Sequence, residues 1–281
     1  MTEIFDDSVL EQVPIPKQYY VEPNQIEIAG LQTAYRRKGP DGGNGEPVLF
    51  LHGNNYTRMW LPLYERLAQS VDLIAPEHPG FGETPTPPWP LNFDELVLHY
   101  DEFRERLGVD EVHLVGYDLG GWLAAEFASF YPRQVKSLTL ITPMGLRLPD
   151  HPLIDVFKLP PDGLVQREFN DKSAMDVVTQ DPNSFEETVF RYGEMSTFGT
   201  LVWAPRYNLA LERRLQRLKC PSLVIQAEDD RIIPNQLAER YAEILPNASL
   251  TQIPETGHAI CIERPEETAD AIIKFVTGGS S

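Results

Sequence analysis

Short runs of β-branched and apolar residues alternate along this chain with longer stretches in which apolar residues recur every three or four positions. Such an alternation is typical of a parallel sheet covered by helices. Six runs predict central strands, at residues 48–51, 71–75, 112–115, 137–141, 222–226 and 249–253. Two weaker runs, at 26–29 and 31–37, are separated by Gly30 and predict an antiparallel hairpin ahead of them. The pattern therefore predicts an α/β fold with a mostly parallel sheet of eight strands.

One helix is predicted with particular clarity, because its apolar residues follow a spacing of three and four. They are Phe93, Leu96, Val97, Tyr100, Phe103 and Leu107. Asn92 precedes them and Glu95 lies three residues on, which is a typical helix start. Further helices are predicted at 59–70, 119–131, 234–245 and 265–276.

The alternation fails between residue 143 and about residue 218. Prolines interrupt this stretch and no strand-like run occurs in it. We expect an inserted helical lid over 143–218, between a first part of the core at 1–142 and a second part at 219–281.

Charge and composition exclude several kinds of partner. The 281 residues contain 24 Lys and Arg against 42 Asp and Glu, a formal net charge of −18. This field repels nucleic acid and anionic lipid, so we expect a small-molecule substrate and neither a nucleic acid nor a membrane partner. No secretory signal or membrane span is evident near the acidic start, which predicts a cytoplasmic protein. The sequence does not indicate the oligomeric state.

Candidate cofactor sites are also missing from the sequence. Cys220 and Cys261 are the two cysteines, too few for a disulfide framework or a four-ligand zinc site. No phosphate-binding glycine loop is recognisable. We therefore expect no metal and no cofactor.

The candidate chemistry lies where three predicted strands end. The strand at 112–115 runs into Gly116-Tyr117-Asp118-Leu119-Gly120-Gly121, a glycine-rich turn of G-x-S-x-G type with Asp in the Ser position. The strand at 222–226 is followed by three acidic residues at 228–230, and the strand at 249–253 by His258. Parallel sheets place their sites at the carboxyl ends of strands, so we expect these side chains to meet.

These motifs make the chain, from about residue 20 to 277, resemble proteins of the α/β-hydrolase fold. His52-Gly53 after the first central strand and the loop at 77–84 extend the resemblance. It implies Asp118 as nucleophile and His258 as the triad histidine. It also implies Asp230 as the triad acid, because Asp230 lies four residues before a proline, although Ala227 replaces the family's usual glycine. The residue after the His-Gly pair, Asn54, and the residue after the nucleophile, Leu119, would supply the N–H groups of the oxyanion hole.

An Asp in the nucleophile position changes the expected reaction. A carboxylate with a pKa near ~4 is already ionised at neutral pH and attacks without a base. It suits a tetrahedral carbon with a leaving group, where displacement gives an alkyl-enzyme ester. His258, oriented by Asp230, would then activate water against that ester. The sequence therefore predicts a hydrolase acting on an epoxide or on an alkyl halide.

The leaving group separates these two substrates, and we expect epoxide hydrolysis to a diol first. An epoxide oxygen needs a proton donor, and the resemblance to epoxide hydrolases implies lid tyrosines, here Tyr192 and Tyr207. A haloalkane or haloacid dehalogenase is the alternative, with Trp203 and Asn54 as halide donors, although Leu119 stands where those enzymes have Trp. Neither subfamily's motifs match fully.

A third reading stays open because residues 121–128 and 137–148 look more like the Ser-nucleophile esterases and carbon–carbon bond hydrolases of the same fold. Asp118 would then replace a Ser, and the protein would be a slow hydrolase or a ligand-binding protein.

Overall fold

Eight strands form one sheet in the computed structural model of the protein, which describes residues 17–178 and 185–278. The strands are β1 (Asn24–Ile28), β2 (Leu31–Lys38), β3 (Pro47–Leu51), β4 (Asp72–Pro76), β5 (Val112–Tyr117), β6 (Val135–Ile141), β7 (Ser222–Ala227) and β8 (Ala248–Ile253). Their order is β1-β2-β4-β3-β5-β6-β7-β8. β2 is antiparallel to both β1 and β4, and the pairs from β4 to β8 are parallel. The eight predicted strands and the entry hairpin are confirmed.

The central strands are apolar on both faces because helices cover both sides of the sheet. The helices are α1 (Pro62–Ala68), α2 (Phe93–Arg106), α3 (Leu119–Phe130), α4 (Pro161–Glu168), α5 (Lys172–Val178), α6 (Phe185–Val202), α7 (Leu211–Leu215), α8 (Asn235–Ile244), α9 (Ile260–Glu263) and α10 (Pro265–Val276). In β3, Val48 and Phe50 belong to the hydrophobic cluster that includes α1 and α10. Leu49 and Leu51 belong to the cluster that includes α2, α3 and α8. Neighbouring residues thus serve opposite cores, as the two-residue period of a strand requires.

The start of α2 is capped as the sequence predicts. The side chain of Asn92 accepts a hydrogen bond of 2.9 Å from the backbone N–H of Glu95. We expect Asn92→Ala to lower the free energy of unfolding by about 1 kcal/mol, because one N–H at the helix start loses its partner. Urea denaturation measures the change. Asn44→Ala, in an exposed loop, is the matched control, and equal losses in the two variants would contradict a capping role.

Between β6 and β7 the chain leaves the sheet. The described part of this stretch contains a 3₁₀ turn (Val156–Lys158) and helices α4 to α7, and none of the eight strands. The helical character expected for residues 143–218 is therefore confirmed, while the division into core and lid stays a prediction.

The inserted stretch is tied to the core at its carboxyl end. Glu126 on α3 is buried, and its Oε1 accepts hydrogen bonds from Trp122 Nε1 at 3.0 Å and Asn208 Nδ2 at 2.8 Å. Its Oε2 pairs with Arg214 on α7. This buried carboxylate fixes the chain's return from the insertion to β7.

No helix in the described ranges, 17–178 and 185–278, is long and apolar enough to cross a bilayer.

Candidate active site

The turn between β5 and α3 holds Asp118 in a conformation that L-residues rarely adopt, with φ 53° and ψ −114°. The surrounding backbone leaves no room for side chains on the glycines. A Cβ on Gly120 would lie 2.1 Å from the carbonyl oxygen of Leu51, and one on Gly116 would lie 2.2 Å from that of Gly120. The sharp turn lifts the Asp118 side chain above the carboxyl edge of the sheet. Backbone strain of this kind is concentrated at functional sites.

Asp118, Asp230 and His258 meet at that edge, as the sequence predicts. His258 Nδ1 lies 2.8 Å from Asp230 Oδ2, and His258 Nε2 lies 3.8 Å from Asp118 Oδ1. The other oxygen of Asp230 accepts the backbone N–H groups of Ile232 and Ile233, both at 2.8 Å. Asp230 is thereby locked by its own turn and orients the imidazole.

The neighbouring Asp229 points elsewhere. Its Oδ2 accepts a hydrogen bond of 2.7 Å from the Asn170 side chain, and the residue is exposed. The selection of Asp230 over Asp229 therefore agrees with the geometry around His258.

The loop that carries His258 is held from two sides. Tyr117 on β5 donates its hydroxyl to the carbonyl oxygen of His258 at 2.8 Å. The N–H of Ala259 donates to the carbonyl oxygen of Glu168 at 2.8 Å. A Cβ on Gly257 would lie 2.5 Å from that same oxygen, so the loop packs directly on the end of α4.

The two expected oxyanion donors contact the Asp118 carboxylate. The N–H of Asn54 donates to Asp118 Oδ2 at 3.2 Å, and the N–H of Leu119 also donates to the carboxylate. Oδ2 is thus held by the Asn54 N–H, and Oδ1 faces His258.

Asn54 is positioned by His52, which holds the intervening Gly53. The N–H of His78 donates to His52 Nε2 at 2.8 Å, so the opposite ring nitrogen, Nδ1, carries the proton and donates to the carbonyl oxygen of Gly53 at 2.6 Å. Burial lowers the pKa of His52 to about 4. A neutral imidazole therefore fixes the peptide that leads into the Asn54 N–H.

The charges of the site depend on one another. Burial raises the pKa of Asp118, while the charge of His258 and the two N–H donors oppose that shift. Burial alone would lower the pKa of His258, but the carboxylates of Asp230, Asp118 and Glu168 outweigh burial and raise it to about 9. At neutral pH the resting site therefore holds a His258 imidazolium beside Asp118, and the charge of the imidazolium favours the ionised form of the Asp118 carboxyl group.

Above Asp118 lies a pocket of about 450 Å³ of empty space, part of it open to solvent. Asn54, Asp118, Glu168, Arg206 and His258 are its polar and charged lining residues. The remaining walls are apolar and come largely from the inserted stretch: Met144, Leu153, Ile154, Val156, Phe157, Leu164, Phe198, Val202, Ile232 and Ile233. The pocket suits a small, mainly apolar molecule whose reactive carbon lies over Asp118.

The three side chains expected to serve the leaving group are not brought to Asp118. Tyr192 is 71% exposed and Trp203 is 67% exposed. Tyr207 packs under the guanidinium of Arg147, 5.5 Å from its ring centroid. None of the three lines the pocket. Sequence reasoning could not locate them, because no periodic pattern relates the insertion to the sheet.

Glu168 is a site residue that sequence reasoning missed. It is 4% exposed, lines the pocket with Asp118 and His258, and lies at the end of α4. Its sequence surroundings, Gln166-Arg167-Glu168, resemble an ordinary charged helix end. No local signal marks it, because its burial depends on contacts with residues more than a hundred positions away.

Among the residues that the structure describes, no group of three or more His, Cys, Asp or Glu could hold a metal ion.

Comparison with known proteins identifies the family and the fold. A family model described as "Alpha/beta hydrolase family" matches residues 48–271. The meta-cleavage product hydrolase from Pseudomonas fluorescens IP01 has a solved structure that superposes with a TM-score of 0.76 at 22% identity, covering 92% of this chain and 98% of that chain. These matches and the eight-stranded sheet confirm the α/β-hydrolase fold expected from the motifs.

Two relatives match by sequence over most of their length. The 2-hydroxymuconate semialdehyde hydrolase of Pseudomonas putida is 28% identical over 259 residues, which cover 88% of this chain and 92% of that protein. The human "Monoacylglycerol lipase ABHD6" is 25% identical over 276 residues, which cover 87% of this chain and 79% of that protein.

Proposed function

The chain belongs to the alpha/beta hydrolase family, and from this premise we propose that it hydrolyses an epoxide to a diol through an ester formed on Asp118. Asp118 is the nucleophile, His258 and Asp230 activate the water, and the N–H groups of Asn54 and Leu119 form the oxyanion hole. The substrate is a small molecule with an apolar body, in keeping with the pocket walls.

One observation carries the proposal: the two oxygens of Asp118 have different surroundings. Oδ2 accepts the N–H of Asn54 at 3.2 Å, while Oδ1 lies 3.8 Å from His258 Nε2. When Oδ1 attacks carbon, Oδ2 becomes the carbonyl oxygen of the new ester. That oxygen already accepts the Asn54 N–H, one of the two donors proposed to stabilise its negative charge in the second step. The arrangement suits a carboxylate nucleophile, because a Ser side chain would bring a single oxygen.

In the first step, Asp118 Oδ1 forms a bond to an epoxide carbon and the bond from that carbon to the ring oxygen breaks. The electron pair goes to the ring oxygen, which takes up a proton and becomes the first hydroxyl of the diol. The negative charge of Asp118 is lost when the ester forms.

That loss of charge prepares the second step. The Asp118 carboxylate is one of the groups that raise the pKa of His258 to about 9, so its esterification lowers that pKa and favours the neutral imidazole. His258 Nε2 then takes a proton from water, which attacks the Cγ of Asp118. The ester is cleaved, the product alcohol takes that proton from His258, and Asp118 is left as a carboxylic acid that contains one oxygen from water. The acid then gives its own proton to His258 and becomes the carboxylate again.

Two other reactions are alternatives. Dehalogenation would use the same nucleophile and needs no proton for the leaving group, and Asn54 in the pocket wall supports it. Ester or carbon–carbon bond hydrolysis is favoured by the relatives' names, a lipase and a semialdehyde hydrolase. In that case Asp118 stands in place of a Ser, and the chain is a slow hydrolase or a ligand-binding protein.

A single turnover in ¹⁸O-water, with enzyme in excess over a styrene-oxide-like epoxide, tests the covalent step. We expect mostly unlabelled diol and ¹⁸O in the peptide that contains Asp118, because the incoming water oxygen stays on the carboxyl group. Mass spectrometry of the diol and of that peptide measures both.

Substrate panels complete the test. Haloalkanes and p-nitrophenyl esters are run beside the epoxides, and turnover restricted to one panel selects among the three reactions. Fully labelled diol in the first turnover, with no label in the Asp118 peptide, would show that water attacks the substrate directly and would refute the covalent mechanism.

A further inference from the structure

Epoxide opening needs a proton donor beside the pocket, and the expected tyrosines lie elsewhere. Glu168 is a buried carboxyl in the pocket wall that the two steps above do not use. Its place in the fold connects it with both halves of the site.

The backbone of Glu168 contacts the loop that carries His258. Its carbonyl oxygen accepts the N–H of Ala259 at 2.8 Å, and the Gly257 backbone packs against it. The end of α4 is therefore held against the loop on which His258 lies.

The side chain of Glu168 contacts the loop that carries the oxyanion donor Asn54. Oε1 accepts a hydrogen bond from Asn55 Nδ2 at 2.8 Å, and Oε2 accepts one from the Tyr56 hydroxyl at 3.1 Å. Asn55 follows Asn54 directly, so these contacts fix the carboxyl group beside the oxyanion loop. Both contacts come from neutral donors, and neither requires the carboxyl to be ionised, since a protonated carboxyl keeps the capacity to accept hydrogen bonds.

The carboxyl has the proton affinity that a donor at neutral pH requires. Burial raises the pKa of Glu168 to about 7, and the charge of Asp118 adds to that shift. The charges of His258 and Arg191 and the hydrogen bond from Tyr56 act in the opposite direction. A general acid is most effective when its pKa lies near the working pH.

We propose that Glu168 is the general acid of the first step and donates its proton to the epoxide oxygen while Asp118 attacks the carbon. The inference rests on the proposed function, since only an epoxide leaving group needs this proton. Glu168 takes the role that the resemblance to epoxide hydrolases implies for Tyr192 and Tyr207.

The protons balance over the cycle. Glu168 gives its proton to the ring oxygen and is left as a carboxylate facing the His258 imidazolium. The imidazolium returns a proton to Glu168 through solvent, which restores the acid and leaves His258 neutral for the attack of water. After ester cleavage the carboxylic acid of Asp118 passes its proton to His258. The net reaction is epoxide plus water giving diol.

The test compares two leaving groups on one nucleophile. In a His258→Gln background the ester on Asp118 accumulates, so intact-protein mass reports the rate of the first step alone. Styrene oxide and an alkyl bromide of similar size are the two probes, because bromide leaves without a proton. We expect an added Glu168→Gln substitution to slow ester formation from the epoxide by about 10² or more and from the bromide by less than about threefold.

The pH dependence of ester formation gives a second reading that needs no change at Glu168. Formation from the epoxide requires protonated Glu168, so its rate should fall about tenfold per pH unit above the pKa of that carboxyl. The bromide reaction should show no such fall, because it needs no proton and depends only on the ionisation of Asp118.

Glu194→Gln is the matched control. Glu194 is also buried, burial raises its pKa to about 7, and its Oε1 accepts the Gly82 N–H at 3.2 Å, but it does not line the pocket. We expect it to leave the epoxide-to-bromide ratio unchanged. If Glu168→Gln slows both probes equally, or slows neither, Glu168 is not the acid. If neither probe esterifies the His258→Gln protein, the nucleophilic role of Asp118 fails, and the acid role falls with it.

Discussion

His258→Gln is expected to stop the reaction at the covalent ester, reducing steady-state epoxide turnover by about 10³ or more while leaving the first step intact. In the proposed mechanism Asp118 attacks as a carboxylate and needs no base, whereas water needs His258 Nε2 to attack the ester. Gln at this position cannot accept a proton from water. The protein mass should rise by the mass of the epoxide, and peptide mapping should place the increase on Asp118.

The control for this prediction is His151→Gln, an exposed histidine on the inserted stretch. It should turn over like the unchanged protein and carry no adduct. An unmodified His258→Gln protein that has lost turnover would mean that His258 acts before the covalent step, as in a Ser-type mechanism. The Asp118 ester would then have to be abandoned.

Asp118→Ser is expected to reduce the rate of epoxide turnover about 10⁴-fold or more and to raise the rate of p-nitrophenyl ester hydrolysis. A Ser that attacks an epoxide carbon forms an ether, which has no carbonyl carbon for water to attack, so a second turnover is impossible. The same Ser attacking an ester forms an acyl-enzyme, which His258 and water can cleave. The loss of the Asp118 charge also lowers the pKa of His258, which favours the neutral base that Ser requires.

Asp118→Asn serves as the comparison, since it keeps the side chain's shape but supplies neither a carboxylate nor a hydroxyl. It should lose epoxide turnover without gaining esterase activity. Epoxide turnover that survives in Asp118→Ser would show that the residue is not the nucleophile. No epoxide turnover in the unchanged protein, with strong esterase activity in Asp118→Ser, would identify Asp118 as a replacement of Ser in an esterase scaffold.

The sequence alone determined the sheet, the strand-to-helix turn and the approximate place of each triad member. These elements have local causes: the β-branched Val112 and Val115 in β5, the glycines at 116, 120 and 121 in the turn, and the capping Asn92 at the start of α2. Such signals lie within a few residues of the structure that they specify, so they can be recognised in one chain. The carboxyl ends of parallel strands then bring Asp118, Asp230 and His258 together, whatever the side chains around them.

Only the tertiary structure decided which side chains surround the substrate. The resemblance to epoxide hydrolases and dehalogenases led us to expect Tyr192, Trp203 and Tyr207 in the pocket, and they lie outside it. Glu168 lies inside it, although its helix shows no sign of function. Burial, pKa and reach depend on packing between segments that are far apart in sequence, here α4 against the loops at Asn55 and Ala259. That packing arises when the whole chain folds, and no local pattern encodes it.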